Sequence, residues 1–316
     1  MSEELKLMED LLPRFRHFDW EKTKTFYYVA KFGSFANAAR YLNIAQSALS
    51  RQIISLEHQL GCPLFMRHSY GVTLTRKGEE LFRVVEQTFF GFKEFTHELY
   101  TKSLKGKKRK IRIATTHAIT AYILDELVYE YHKQNPDLVF ELTGEDHHID
   151  LLLNDVDIAI RPFDSQTKGV QQEVLFSLEK KLFASNEYLD NYGEPKTVED
   201  LRHHHLISHA HPKEHPYSDI NWILRLGLPD GSEHEPVLTS NSLESLVKAA
   251  KKGMGIIGGY NEMDIIRNSG LLNILPEVKS EKIDEYILIP NYLKKDKQIQ
   301  DLKEFLKNEL IKNLNV

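Results

Sequence analysis

Residues 21–61 constrain this chain's fold more than any other stretch. Phe26, Val29 and Ala30 recur at helical spacing and the run stops at Gly33, so 21–32 reads as a short helix. Ser34 is placed to cap a second helix over 35–42, which turns at Asn43-Ile44 into a third over 46–60. In the third, Leu49, Ile53, Leu56 and Leu60 repeat at steps of 4, 3 and 4, and Gly61 closes it. Two short helices joined by a tight turn, the later one carrying Gln46, Ser47, Ser50 and Arg51 on its open face, fit a helix-turn-helix. After Pro63 two extended runs, 64–67 and 72–75, flank His68-Ser69-Tyr70-Gly71, which reads as a hairpin turn and so as a wing.

From Arg76 the pattern becomes one long helix. Leu81, Val85, Thr88, Phe92, Phe95 and Leu99 step by 4, 3, 4, 3 and 4, a heptad seam that Phe82 and Phe89 widen. A partner helix would cover such a stripe in a dimer; the alternative is packing against the chain's own core. The basic run 105–110 reads as a hinge before a second domain, or as simply solvated.

Length and charge agree with two domains of different character. The chain has 316 residues, and its net charge of -5 hides an asymmetry: +7 over 1–110 and -12 over 111–316. Within 20–78 there are eight Lys/Arg to two Asp/Glu, a density suited to phosphate contacts. No apolar run approaches a membrane span, and the acidic segment 1–19 lacks a signal-peptide core, so neither membrane insertion nor secretion is expected. The single cysteine, Cys62, suits a reducing, cytoplasmic setting and reads as a structural thiol in the turn before the wing.

The segment AARYLNIAQSALSRQIISLEHQLGCPLFMRHSYGVTLTRKGEELF, Ala38 to Phe82, resembles the winged helix-turn-helix of LysR-type transcriptional regulators, and the order of later segments also fits. The resemblance covers nearly the whole chain after Asp19. It implies that Gln46, Ser47, Ser50 and Arg51 face the major groove of double-stranded DNA and that the wing, His68 to Thr73, lies along phosphates or the minor groove. Ser34, Arg67, His68 and Thr73 complete the DNA-binding set, and Leu81, Val85, Phe92, Phe95 and Leu99 the dimerisation set of a homodimer or homotetramer. Two positions depart from the family. Ala45 stands where a Ser or Thr usually caps the recognition helix, a contribution of roughly 1 kcal/mol, and Ile54 stands where a basic residue is common. Ile54 either removes one phosphate contact or meets a thymine methyl.

The back half alternates strands and helices: strand 111–114, helix 118–134, strand 138–143, short helix 149–154 and strand 156–160 form a βαβαβ unit. A similar alternation runs through 181–260, and 271–275, 286–289 and the helix 295–313 are expected to rejoin the first unit. This resembles the effector-binding domain of the same family, similar in fold to periplasmic solute-binding proteins. The expected fold is therefore an N-terminal all-α winged helix-turn-helix with a long linker helix, then a C-terminal α/β domain of two Rossmann-like lobes of the type 2 periplasmic-binding-protein kind. The expected division is an extension 1–19, a DNA-binding domain 20–78, a linker helix 79–104, a hinge 105–110, and an effector domain 111–316 with lobe I over 111–162 and 268–316 and lobe II over 163–267. The crossings between lobes fall near Pro162 and Asn268.

Strand ends should face the cleft. Thr115, Thr116 and His117 follow the first strand and open a helix, where N–H groups and hydroxyls suit an anion. Asn241 and Ser242 open the helix from Leu243 in the same way, with Glu244 placed for a capping box, and Arg161 ends a strand. His209 ends another strand and completes an effector set that favours a small anionic ligand. GMGIIG, 253–258, matches the dinucleotide pattern, but a helix precedes it and a strand follows, so Gly253 reads as a helix cap. His203, His204, His205, His209, His211 and His215 are dense enough for a metal, yet Pro212 and Pro216 interrupt any helix and no cysteine is near, so no metal site and no cofactor are expected. No nucleophile elbow, phosphate loop or metalloprotease motif occurs. The reading is a ligand-controlled DNA-binding regulator, not an enzyme; the alternative is a small-molecule-binding enzyme or solute-binding module without specific DNA binding.

Overall fold

Asp19 caps the first helix, α1 (Trp20–Phe32), by accepting from the Lys22 N–H, and Gly33 ends it in the left-handed region at φ 56°. Ser34 caps α2 (Phe35–Leu42) through a 3.3 Å bond from the Asn37 N–H. Asn43, at φ 54°, ends α2 with its own N–H on the Ala39 and Arg40 carbonyls, so it caps backwards and does not start the next helix. That helix, α3 (Gln46–Leu60), begins at Ala45 with no side-chain cap and stops at Gly61. The wing pairs β1 (Phe65–His68) with β2 (Gly71–Leu74), Phe65 opposite Leu74. Gly71 is required there: its φ is 148°, and a Cβ would lie 2.7 Å from the Gly33 carbonyl oxygen. α4 (Arg76–Ser103) follows. The computed structural model describes residues 19–68, 71–103, 108–146, 151, 156–162, 169–211, 216–217, 219–278 and 282–314, and the chain divides into two units between Leu99 and Tyr100.

The first unit packs on Phe26, Val29, Ala38, Leu49, Ile53, Leu56 and Leu64. Leu81 and Phe82 of α4 join that core and Val85 is 2% exposed, so the opening turns of the expected seam are covered by their own unit. Phe92, Phe95 and Leu99 remain 58%, 58% and 52% exposed. The open stripe is therefore shorter than the heptad pattern implies, because one apolar period serves internal and external packing alike.

The second unit is built on a nine-stranded sheet among the described residues. β3 (Arg109–Thr115), β4 (Leu138–Gly144) and β5 (Ile158–Arg161) run parallel, in the order β4-β3-β5. Between β3 and β4 a helix, α5, starts at His117–Ile119, passes through a π turn at Thr120–Leu124 and continues over Asp125–Gln134. Then come the strand β6 (Val170–Ala184), α6 (Asn186–Tyr192), β7 (Leu206–His209), β8 (Leu238–Ser240), α7 (Leu243–Lys251), β9 (Ile256–Tyr260), α8 (Asp264–Arg267), β10 (Leu272–Ile274), β11 (Lys282–Pro290) and α9 (Lys297–Leu314). Lobe I packs α5 and α9 on the sheet through Leu127, Tyr131, Leu302 and Leu306 against Ile111, Ile158 and Ile287. In lobe II, α7 covers β7 and β9 through Leu246, Val247 and Ala250.

The lobes join inside β6. From Val170 to Glu179 it pairs with β11, and from Lys180 to Phe183 with β9. The outward crossing is thus at Glu179–Lys180, not at Pro162. β10 pairs with β6 at Leu182 to Ala184, and Ile274 and Leu275 lie in the lobe II core, so this strand does not rejoin lobe I and the return comes after it, not at Asn268. A strand that runs through both lobes changes partners without changing its own pattern, and Pro162 and the Asn268-Ser269-Gly270 turn punctuate only local elements. Arg109 and Lys110 are not hinge: Arg109 is 8% exposed and binds Asp296 and Gln298, both at 2.7 Å. The expected helix 149–154, like residues 1–18, 104–107 and His215, lies outside the described residues, apart from Leu151, which is buried.

Candidate functional site

On α3 the apolar spacing turns Leu49, Ile53 and Leu56 inward, which leaves Ser47, Arg51, Ile54 and His58, at steps of 4, 3 and 4, along the exposed side, with Gln46 exposed and Ser50 half-buried. Two contacts fix this helix. Thr25 of α1 donates to Gln52 Oε1 at 2.5 Å, and Glu57 Oε1 accepts the Leu64 and Phe65 N–H groups at 2.7 and 3.2 Å, tying α3 to the wing. In the wing, the His68 ring and the Thr73 hydroxyl are hydrogen-bonded at 2.9 Å, and the Arg67 guanidinium stacks 4.8 Å over the Phe35 ring. Arg67, His68 and Thr73 are all exposed. Ser34 already accepts as the α2 cap, which leaves its hydroxyl proton for an outside acceptor. With no capping side chain at Ala45, the first N–H groups of α3 also lack a side-chain acceptor.

In the second unit, the strand ends of lobe I gather the expected residues unequally. Thr115 is fully buried and its hydroxyl has no hydrogen-bond partner among the described residues; Thr116 caps the following helix at the Ile119 N–H, 3.2 Å. The His117 N–H donates to Asp146 Oδ1 at 3.1 Å, so a carboxylate already occupies the helix terminus where an anion was expected. The unfilled donors sit instead on Arg161, which is 2% exposed: its Nη1 donates to the Glu145 carbonyl at 2.6 Å, while Nε and Nη2 have no hydrogen-bond partner among the described residues. Asn241 and Ser242 are exposed; Ser242 caps α7 through the Ser245 N–H at 3.4 Å, and Glu244 pairs with Lys248 rather than closing a capping box.

Two residues that sequence reasoning passed over complete the group. Glu285 of β11 is 0% exposed and accepts a hydrogen bond from the Tyr217 hydroxyl at 2.5 Å, while its Oε2 has no hydrogen-bond partner among the described residues. Burial pushes the Glu285 carboxyl up to about 8, against the lowering effects of the Tyr217 bond and of Arg161, so it is largely protonated at neutral pH. Burial likewise raises the Tyr217 hydroxyl, with Glu285 adding to it, and depresses the Arg161 guanidinium, which Glu145, Asp146 and Glu285 partly offset. The link crosses the lobes: Glu285 belongs to lobe I, and Tyr217 lies beside His209, Trp222 and Tyr260. The cavity there measures about 30 Å³, room for about one water. His209 lines it and is held by Asn221, whose amide brackets the His209 backbone with two 2.8 Å bonds. One signal in the sequence marked Glu285: an acidic residue set directly against the apolar run Tyr286 to Ile289.

Of the histidine cluster, His204 Nδ1 lies 3.2 Å from the Tyr188 hydroxyl and the His205 ring stacks edge-on against Tyr192. Among the described residues no three metal-ligating side chains converge.

Comparison with known proteins places both units. Residues 20–79 match the family described as bacterial regulatory helix-turn-helix protein, lysR family, and residues 105–310 match the LysR substrate binding domain. The HTH-type transcriptional regulator YhjC of Escherichia coli (strain K12) is 27% identical over 272 residues, 83% of this chain and 88% of that protein. The HTH-type transcriptional regulator CrgA of Neisseria meningitidis serogroup C (strain 8013) is 26% identical over 265 residues, 83% of this chain and 87% of that protein. The solved structure of CrgA from Neisseria meningitidis has the same fold, with a TM-score of 0.53, 24% identity and coverage of 93% of this chain and 99% of that one. The full-length virulence activator AphB of Vibrio cholerae does too, with a TM-score of 0.51, 18% identity and coverage of 92% and 99%. With a helix-turn-helix at the front, a two-lobed ligand-binding domain behind it and the family matched over most of its length, the chain belongs to the LysR family of transcriptional regulators.

Proposed function

We propose that this regulator reads duplex DNA as a homodimer or homotetramer, through Gln46, Ser47, Ser50 and Arg51 of paired α3 helices, and that a small anionic effector held between its C-terminal lobes sets how those helices are spaced. The wing residues Arg67, His68 and Thr73 and the Ser34 hydroxyl serve as backbone contacts, which position the protein without reading sequence. Phe92, Phe95 and Leu99 form the self-association stripe, since three large apolar side chains more than half exposed on one helix leave surface for a second copy to cover. A protein that reads genomic DNA works in the cytoplasm.

One observation carries the choice of an anionic effector: Arg161 is buried with two guanidinium nitrogens that have no hydrogen-bond partner among the described residues, and the Glu285 within its electrostatic reach is largely neutral at pH 7. Buried guanidinium donors left without an acceptor favour an oxyanion that can fill them. A cavity of about 30 Å³ is too small for a metabolite, so binding couples to parting of the lobes around Tyr217 and Glu285. The effector acts only through its different affinity for the closed and opened states. No cofactor enters this scheme.

Footprinting on the DNA beside the protein's own gene, with and without candidate organic acids, tests the reading. Paired protected half-sites are expected, their spacing changed by an active acid, with Arg51→Ala weakening operator affinity by roughly 10- to 100-fold. Protection no better than on random duplex, or an Arg51→Ala variant with unchanged affinity, overturns it.

A further inference from the structure

α3 carries an isoleucine on its exposed row. Ile54 is 55% exposed, more than any other large apolar residue among the described residues from α1 through β2. It sits in the exposed row between Arg51 and His58, with Ser47 at the start of the same row, while its neighbour Ile53 is 1% exposed and belongs to the core. The stripe of α3 thus consists of hydrogen-bonding side chains with one branched apolar group in its middle. An exposed β-branched residue is also not there for helix propensity, in which isoleucine ranks below the straight-chain polar residues.

We propose that Ile54 is a specificity-determining residue that makes van der Waals contact with the C5-methyl group of a thymine in each operator half-site. The inference rests on α3 being the helix that enters the major groove. The edges of base pairs in that groove display hydrogen-bond donors and acceptors and a single kind of apolar group, the thymine methyl. Phosphates offer an apolar side chain no favourable contact. With Ser47 and Arg51 set to bond base edges nearer the start of α3, Ile54 faces the next step along the groove, and the half-site gains a preference for thymine there.

The test uses the full chain and a random duplex pool. Sequences enriched by the wild type define the half-site, and each thymine in it is then replaced by uracil, which removes only the methyl group. One thymine is expected at which uracil costs about fourfold in affinity per half-site, the worth of one methyl group removed from water. Ile54→Ala should bind the thymine and uracil duplexes equally, and Ile54→Arg should enrich sequences without that thymine; circular dichroism confirms that both variants fold. If the wild type enriches a half-site but no thymine is sensitive to uracil, or Ile54→Ala keeps the full sensitivity, the inference is wrong while the reading of α3 stands. If the wild type enriches no sequence at all, the reading of α3 falls and the inference falls with it.

Discussion

Replacing Glu285 by glutamine isolates one buried proton. The carboxyl is 0% exposed in β11, it accepts from Tyr217 at 2.5 Å, and burial lifts it from 4.5 to about 8. The charged and titratable groups around it, Arg161, Tyr217 and Tyr260, lie on β5, on the segment before Trp222 and on β9. The native-state pKa is raised above the unfolded value, so the proton is held in the folded chain and released in the unfolded chain throughout the interval between them. Stability from this group is fully present below about pH 4.5, falls by ~1.4 kcal/mol for each pH unit above it, and is lost by about pH 8, where both states are ionised. The glutamine of Glu285→Gln fills the same space and still accepts from Tyr217, but has no proton to lose. The difference in unfolding free energy, wild type minus Glu285→Gln, should therefore fall by ~1.4 kcal/mol per pH unit between about pH 5 and 7.5. Urea unfolding in a Trp20→Phe background measures it, since Trp222, the other of the chain's two tryptophans, lies 8% exposed in lobe II beside Tyr217. Parallel pH profiles for the two proteins would show that Glu285 is ionised in the folded state and that the cleft is more solvated than its packing implies.

Phe92→Asp puts a charge at the start of the open stripe of α4 and should convert dimers to monomers in sedimentation at micromolar concentration; an unchanged dimer would move the self-association surface elsewhere. Ala45→Ser supplies the acceptor that α3 lacks and should stabilise the first unit by about 1 kcal/mol in denaturant unfolding followed by Trp20, and no gain would mean that another group already satisfies those N–H donors. Gly71→Ala forces a Cβ to 2.7 Å from the Gly33 carbonyl at a φ of 148°, so the wing should loosen and DNA affinity fall with little change in helix content by circular dichroism; an affinity equal to wild type would remove the wing from the contact surface.

The front of the chain was legible because its determinants are local. The spacing of Leu49, Ile53 and Leu56, the Ser34 cap and the left-handed Gly33 and Gly61 each fix a helix from within a few residues, and all hold in the structure. The order helix, Gly253, strand was legible for the same reason, with α7 ending just before Gly253 at φ 71° and β9 following. What the sequence hid depends on partners distant along the chain. Leu81 and Phe95 belong to one heptad pattern, yet one is taken by the first unit's core and the other is open. Asp146 reaches back 29 residues to the His117 N–H, and Tyr217 meets Glu285 across 68, so neither the occupied helix terminus nor the buried acid had a local signature beyond a charge next to an apolar strand.

On the proposed reading, the exposed row of α3 discriminates among DNA sequences. Titrating the full chain against a fragment from beside its own gene and against a scrambled duplex of equal length, at several salt concentrations, tests it most directly. The genomic fragment should bind at least about a thousandfold more tightly at physiological salt, and both affinities should drop steeply as salt rises. Equal affinity for the two duplexes across the salt series would contradict it.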